Sequence, residues 1–166
     1  MADGFDVKLE GLEELHGKLK ELTSDVQFKG GRFALRRAAQ VLRDKARQNA
    51  GGVDDPETTE NIEKNIVERW NGRLFRQSGN LGFRVGVLGG ARGFAAASGE
   101  VKGAGSGNPG GDTFYWRFLE FGTAKMVANP FMRPAADQAA GDVVDEFVRQ
   151  YDKAADRALR RARKMK

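Results

Sequence analysis

A long helical pattern near the end of the chain sets the terms for any fold. Pro134 suits the first turn of a helix. Ala135, Ala139, Val143, Phe147, Tyr151 and Leu159 then mark a helix to about Arg163, with no internal proline and one glycine, Gly141. In 166 residues a single core still covers everything, so the expectation is one domain over 1–166 built against that helix. A second helix is predicted from Arg32 to Asn49. Leu35, Ala38, Ala39, Leu42 and Ala46 form one face, and Arg32, Arg36, Arg43 and Arg47 lie mostly on the other. Thr23-Ser24-Asp25 can cap it and Gly51 can stop it. Gly30-Gly31 weakens its start, by roughly 1 kcal/mol per glycine relative to alanine. Upstream, Phe5, Val7 and Leu9 alternate with Asp6 and Lys8 as a short strand, and Leu12, Leu15, Leu19 and Leu22 predict an amphipathic helix.

Between these helices the period changes to two. Ile62, Ile66 and Val67 lead into Glu68-Arg69-Trp70, a strand ending at the turn dipeptide Asn71-Gly72. Phe83, Val85 and Val87 alternate with Arg84 and Gly86, which predicts an antiparallel hairpin with a long polar connection. Residues 51–60 read as a loop. Residues 89–112 are dominated by glycine and small side chains, so they predict a flexible loop between two sheet elements. The second of these is Phe114–Phe121, which holds five of the fifteen aromatics and ends at Gly122-Thr123. Asn129–Pro134 is extended or a turn, because proline disfavours the helical conformation in the residue before it. The expected fold class is therefore α+β: a small antiparallel β-sheet packed against a long N-terminal helix and a long C-terminal helix, with a Gly-rich flexible loop.

Composition removes most catalytic chemistry. There is no cysteine, hence no disulfide, thiolate or cluster chemistry, and one histidine, His16, which sits in a leucine-patterned helix. No serine stands in nucleophile-elbow spacing, and no phosphate-loop or dinucleotide motif occurs; Gly103-Ala104-Gly105-Ser106-Gly107 lacks the third glycine of the latter. Asp54, Asp55 and Glu57 fail the calcium-loop pattern and read as a solvated acidic loop. No cofactor or metal is expected. No apolar run is long enough for a membrane span, and the chain starts without a signal-peptide pattern, so a cytoplasm-like compartment and no membrane partner are expected. Glu120 lies inside the aromatic run. Burial there penalises its charge unless a partner such as Arg117 or Arg133 holds it, and it reads either as an acid/base group or as a buried pair that fixes a turn.

Charge is uneven. The segment 149–166 carries eight basic and two acidic residues, a balance of +6; the other 148 residues balance at −1. Within that basic helix end Arg157, Arg160, Arg161, Arg163 and Lys164 are the candidates for facing nucleic acid, an acidic partner, or water alone.

Three passages together resemble a known family. They are Val7-Lys8-Leu9-Glu10-Gly11-Leu12-Glu13-Glu14-Leu15 with Lys18-Leu19, then Phe118-Leu119-Glu120-Phe121-Gly122-Thr123, and Pro130-Phe131-Met132-Arg133-Pro134-Ala135. In order and spacing they resemble the phage tail-component family typified by lambdoid siphophages, whose members are neck, tail-completion or head–tail joining proteins. Thr59–Ile66 stands where members carry Thr-Gly-x-Leu-x-x-Ser-Ile, with Glu60 in place of the glycine. The resemblance implies a non-enzymatic virion protein, assembled in the bacterial cytoplasm, that forms a ring (six-fold symmetry being one option) at the head–tail junction. It implies a head-closure or connector protein and a tail-tube or tail-terminator protein as neighbours, with non-specific contact to exiting DNA. The competing reading from charge alone is a small DNA-binding protein acting through its basic C-terminal helix.

Overall fold

The computed structural model describes residues 24–53, 61–88, 108–111 and 113–164. The strand expected at Phe5–Leu9, the helix at Leu12–Leu22 with His16, the acidic loop at Asp54, Asp55 and Glu57, and most of the Gly-rich loop lie outside those residues.

Two helices make the frame. A π-helical turn, Asp25–Gly30, runs straight into α1, Gly31–Ala50. The last helix, α5, spans Met132–Lys164, 33 residues, or about 50 Å at 1.5 Å per residue. They run antiparallel. The Asn49 side chain donates to the Phe131 carbonyl at 3.3 Å near one end, and Gly31 lies against Tyr151 near the other. Small residues allow the close approach: Ala34, Ala38, Ala46 and Ala50 of α1 are buried, as are Ala135 and Ala139 of α5. Gly31 is buried at the start of α1. A Cβ on Gly31 would sit 3.0 Å from Leu81 Cδ1 and 3.8 Å from the Tyr151 ring, so the glycine that looked like a weak helix start stands where neighbouring segments pack close. Ser24 has helical backbone angles and makes no side-chain cap, so the expected capping does not occur there.

The sheet is a two-stranded antiparallel pair. β1 is Ile66–Trp70 and β2 is Phe83–Val87, in the register Ile66↔Val87 to Trp70↔Phe83. The hairpin expectation holds, with two corrections. Ile62–Asn65 is a helical turn, α2, capped by the Asn61 side chain accepting from Lys64 N–H at 2.8 Å. The connection between the strands contains α3, Gly72–Ser78, because Asn71 acts as a helix cap for Leu74 N–H at 3.2 Å rather than as a turn residue. Gly79 then ends α3 at φ 71°, the left-handed conformation that glycine takes without penalty.

The inner face of the sheet rests on α1. Ile62, Ile66, Ala46, Ala50, Phe131 and Ala135 form the core, with Val85, Val87, Tyr115, Trp116 and Leu119 packed against it. Glu68 also faces α1. It accepts from Gln40 at 3.1 Å and from Arg43 at 2.7 Å. Burial alone would raise its pKa; the hydrogen bonds from Gln40 and Arg43 and the Arg43 charge outweigh that and hold it below the ordinary carboxylate range. Arg47 donates twice to the Ile66 carbonyl, at 3.0 and 2.8 Å, which occupies an outward-facing group of the β1 edge.

The aromatic run is the main correction. Trp116–Phe121 is a short helix, α4, not a sheet element. Its aromatic and aliphatic residues carry no clear period, so local pattern does not separate strand from helix here.

Candidate functional site

The two central sequence motifs form one device. α4 ends at Gly122, whose φ of 72° and ψ of −179° turn the chain sharply. A Cβ there would lie 2.9 Å from both Ala128 N and Met126 O, so the turn admits only glycine without displacement. Thr123 and Met126 pair across the turn, with Thr123 N–H to Met126 O at 2.9 Å, and the Thr123 hydroxyl accepts from Met126 N–H at 3.1 Å. Asn129 N–H then donates to the Leu119 carbonyl at 2.8 Å, laying the returning chain back along α4.

That return brings Glu120 to the start of α5. Its carboxylate accepts from the backbone N–H groups of Phe131 at 2.8 Å, Met132 at 2.9 Å and Arg133 at 3.0 Å. The first N–H groups of a helix have no partner within it, and the helix dipole makes that end attractive to an anion. A side chain from another helix meets both needs here. Glu120 is 2% exposed and both its oxygens are engaged by backbone donors. Of the two expected partners, Arg133 Nε approaches Oε1 at 3.8 Å from a mostly exposed side chain, and Arg117 lies over the Trp116 ring instead. The carboxylate is thus a helix cap, with the ion pair as a minor addition. Pro130 and Pro134 bracket Phe131, which is fully buried; Pro134, in the first turn, gives up an N–H that would have had no partner. Phe118 and Leu119 are half-buried, while Phe121 is exposed beneath the Arg133 guanidinium, 4.7 Å from its ring centre.

Sequence reading missed a second device. Asn65 is fully buried and binds the chain on the far side of the Gly-rich segment. Its Oδ1 accepts from Gly110 N–H at 2.8 Å, and its Nδ2 donates to Gly111 O at 2.9 Å and to the Thr113 hydroxyl at 2.8 Å. Its own carbonyl accepts from Leu88 N–H at 2.7 Å, so one residue holds both ends of the 89–107 excursion together. The available signal was positional: Asn65 stands where the resembled family has the serine of its Ser-Ile pair.

The candidate charged residues Arg157, Arg160, Arg161, Arg163 and Lys164 lie in the last turns of α5 and are all exposed. Leu159 and, earlier on α5, Val144 and Val148 are exposed apolar residues. Glu146 is covered by the arms of Arg37, Arg149 and Gln150 rather than by the fold. Hydrogen bonds from Arg149 and Gln150, with the charges of Arg149 and Arg37, hold its pKa below the ordinary range. Among the described residues no helix is long and apolar enough to cross a membrane.

Compared with models of known protein families, residues 13–122 match the one described as "Bacteriophage HK97-gp10, putative tail-component". The match contains the hairpin, Asn65 and the Phe118–Gly122 motif, and stops short of Pro130–Ala135 and α5. No curated protein and no solved structure shows significant similarity.

Proposed function

Since the chain belongs to the HK97-gp10-like family of phage tail components, we propose that it has a structural rather than catalytic role in the virion and forms a closed ring at the head–tail junction, as a neck or tail-completion protein. The family match carries this reading. In the ring, one face meets a head-closure or connector protein and the other a tail-tube or tail-terminator protein. The geometry supports it through rigidity and surface. The Glu120 cap and the Asn65 bonds join distant parts of the chain into one body, as a subunit that must repeat around an axis requires. Apolar side chains remain outside that body: Phe121, Met126 and Val127 around the Gly122 turn, and Val144 and Val148 on α5. These surfaces await subunit or neighbour contacts.

Mass photometry and negative-stain electron microscopy of the purified protein, alone and with its connector and tail-tube neighbours, test the proposal. Closed rings of uniform mass in the mixtures are expected. A protein that stays monomeric with every neighbour present overturns it.

A further inference from the structure

We propose that the end of the molecule where the π-helical turn, α3, the adjoining end of the hairpin and the last turns of α5 meet binds duplex DNA through its phosphate backbone, without reading sequence. This is independent of ring formation. Averaged along the sequence, everything before residue 149 is nearly neutral, but folding does not preserve the average. No acidic residue occurs from Arg69 to Leu88, and Arg69, Arg73, Arg76 and Arg84 in that stretch are all exposed.

The register places Arg69 directly opposite Arg84, on the sheet face turned away from α1. Like charges paired across strands oppose folding, and an anion bound between them would relieve that repulsion. α3 adds Arg73 and Arg76 between the strands. Aromatic contacts tie this edge to the helices. Phe28 meets Phe75 at 6.2 Å, and the Arg32 guanidinium lies 4.4 Å from the Trp70 ring centre. Arg157 reaches the Phe33 ring at 6.0 Å, which brings the end of α5 to the start of α1. None of these arginines, nor Arg160, Arg161, Arg163 or Lys164, forms a salt bridge with a described carboxylate. Asp152 and Asp156 are the acidic residues of that part of α5. Among the described residues arginine predominates over lysine on this surface, its planar fork suits phosphate oxygens, and several elements supply it.

The test is fluorescence anisotropy of the full chain with a random-sequence duplex of about 30 base pairs across a salt series. Binding at low salt should fall linearly on a log–log plot, with a slope of about −0.9 for each phosphate neutralised. The quadruple variant Arg69→Gln, Arg73→Gln, Arg76→Gln, Arg84→Gln should bind at least tenfold more weakly and show a shallower slope, with unchanged circular dichroism. The triple variant Arg160→Gln, Arg161→Gln, Arg163→Gln should do likewise. Absence of binding at low salt overturns the proposal. So does a quadruple variant that binds like the parent, since the site would then be the helix end alone. If a polyglutamate peptide competes as well as duplex at equal charge, the surface takes an acidic protein instead and the proposal fails. Mass photometry of the same samples reads ring formation separately.

Discussion

Replacing Glu120 by alanine removes the side chain that, among the described residues, accepts from the first N–H groups of α5 across the fold. Three backbone N–H groups lose their acceptor. The Phe131 donor is fully buried and the other two partly so. A buried donor left without a partner costs about 1–3 kcal/mol, and partly wet ones less. Loss of the favourable charge at the helix start adds about 0.3–1 kcal/mol. The expected total is about 3–5 kcal/mol, against a whole-chain stability on the order of 5–15 kcal/mol. With a urea dependence of about 2 kcal/mol per molar, the unfolding midpoint should fall by about 1.5–2.5 M. Far-UV circular dichroism in urea reads this, with Asp142→Ala as an exposed control on the same helix. Glu120→Gln keeps one acceptor oxygen but loses the charge, and should fall between, at about 2–3 kcal/mol. A Glu120→Ala midpoint within about 0.5 M of the parent, a loss of roughly 1 kcal/mol or less, would refute the capping argument.

Three further outcomes follow from the same geometry. Gly122→Ala forces a side chain into φ 72° against Ala128 and Met126, and should cost about 2 kcal/mol or more, read as a melting temperature lower by about 4–8 °C. Asn65→Ala should speed hydrogen exchange at the Gly110 amide, leaving the central turns of α1 and α5 protected; unchanged exchange at Gly110 would show that the Asn65 bonds do not hold the segment. Glu68 is held below the ordinary carboxylate range, so its contribution is full above the unfolded value of about 4.3 and is lost as pH falls through its lower folded value. The stability gap between the parent and Arg43→Gln should therefore shrink from pH 6 to pH 3; a gap that widens on acidification contradicts the pairing.

The two long helices and the hairpin were legible because each carries its own period: Ala135 to Leu159 at helical spacing, Phe83 to Val87 at two. The elements that were misread lack one. Phe114–Phe121 is mostly aromatic with Arg117 and Glu120 between, a mixture with no clear period, and the Glu120 contacts to residues 131–133 lie beyond any local pattern. Asn71 looks the same in sequence as a turn residue and as a helix cap; the fold makes it a cap. Asn65 could not be found from local pattern, since its side-chain partners lie 45 to 48 residues away. The motif residues around Glu120 stand together in the sequence, but the part Glu120 plays, one helix closing another, is a fact of three dimensions. Charge was the least legible. A balance of −1 over 148 residues hid four exposed arginines on one hairpin.

The most direct test of the structural role is the composition of the particle itself. Mass spectrometry and gold-labelled antibody on purified virions of the encoding phage should find this chain as a stoichiometric component at the junction of head and tail, with the Glu120→Ala gene yielding separate heads and tails. Infectious particles of normal form that contain none of the chain would contradict the account.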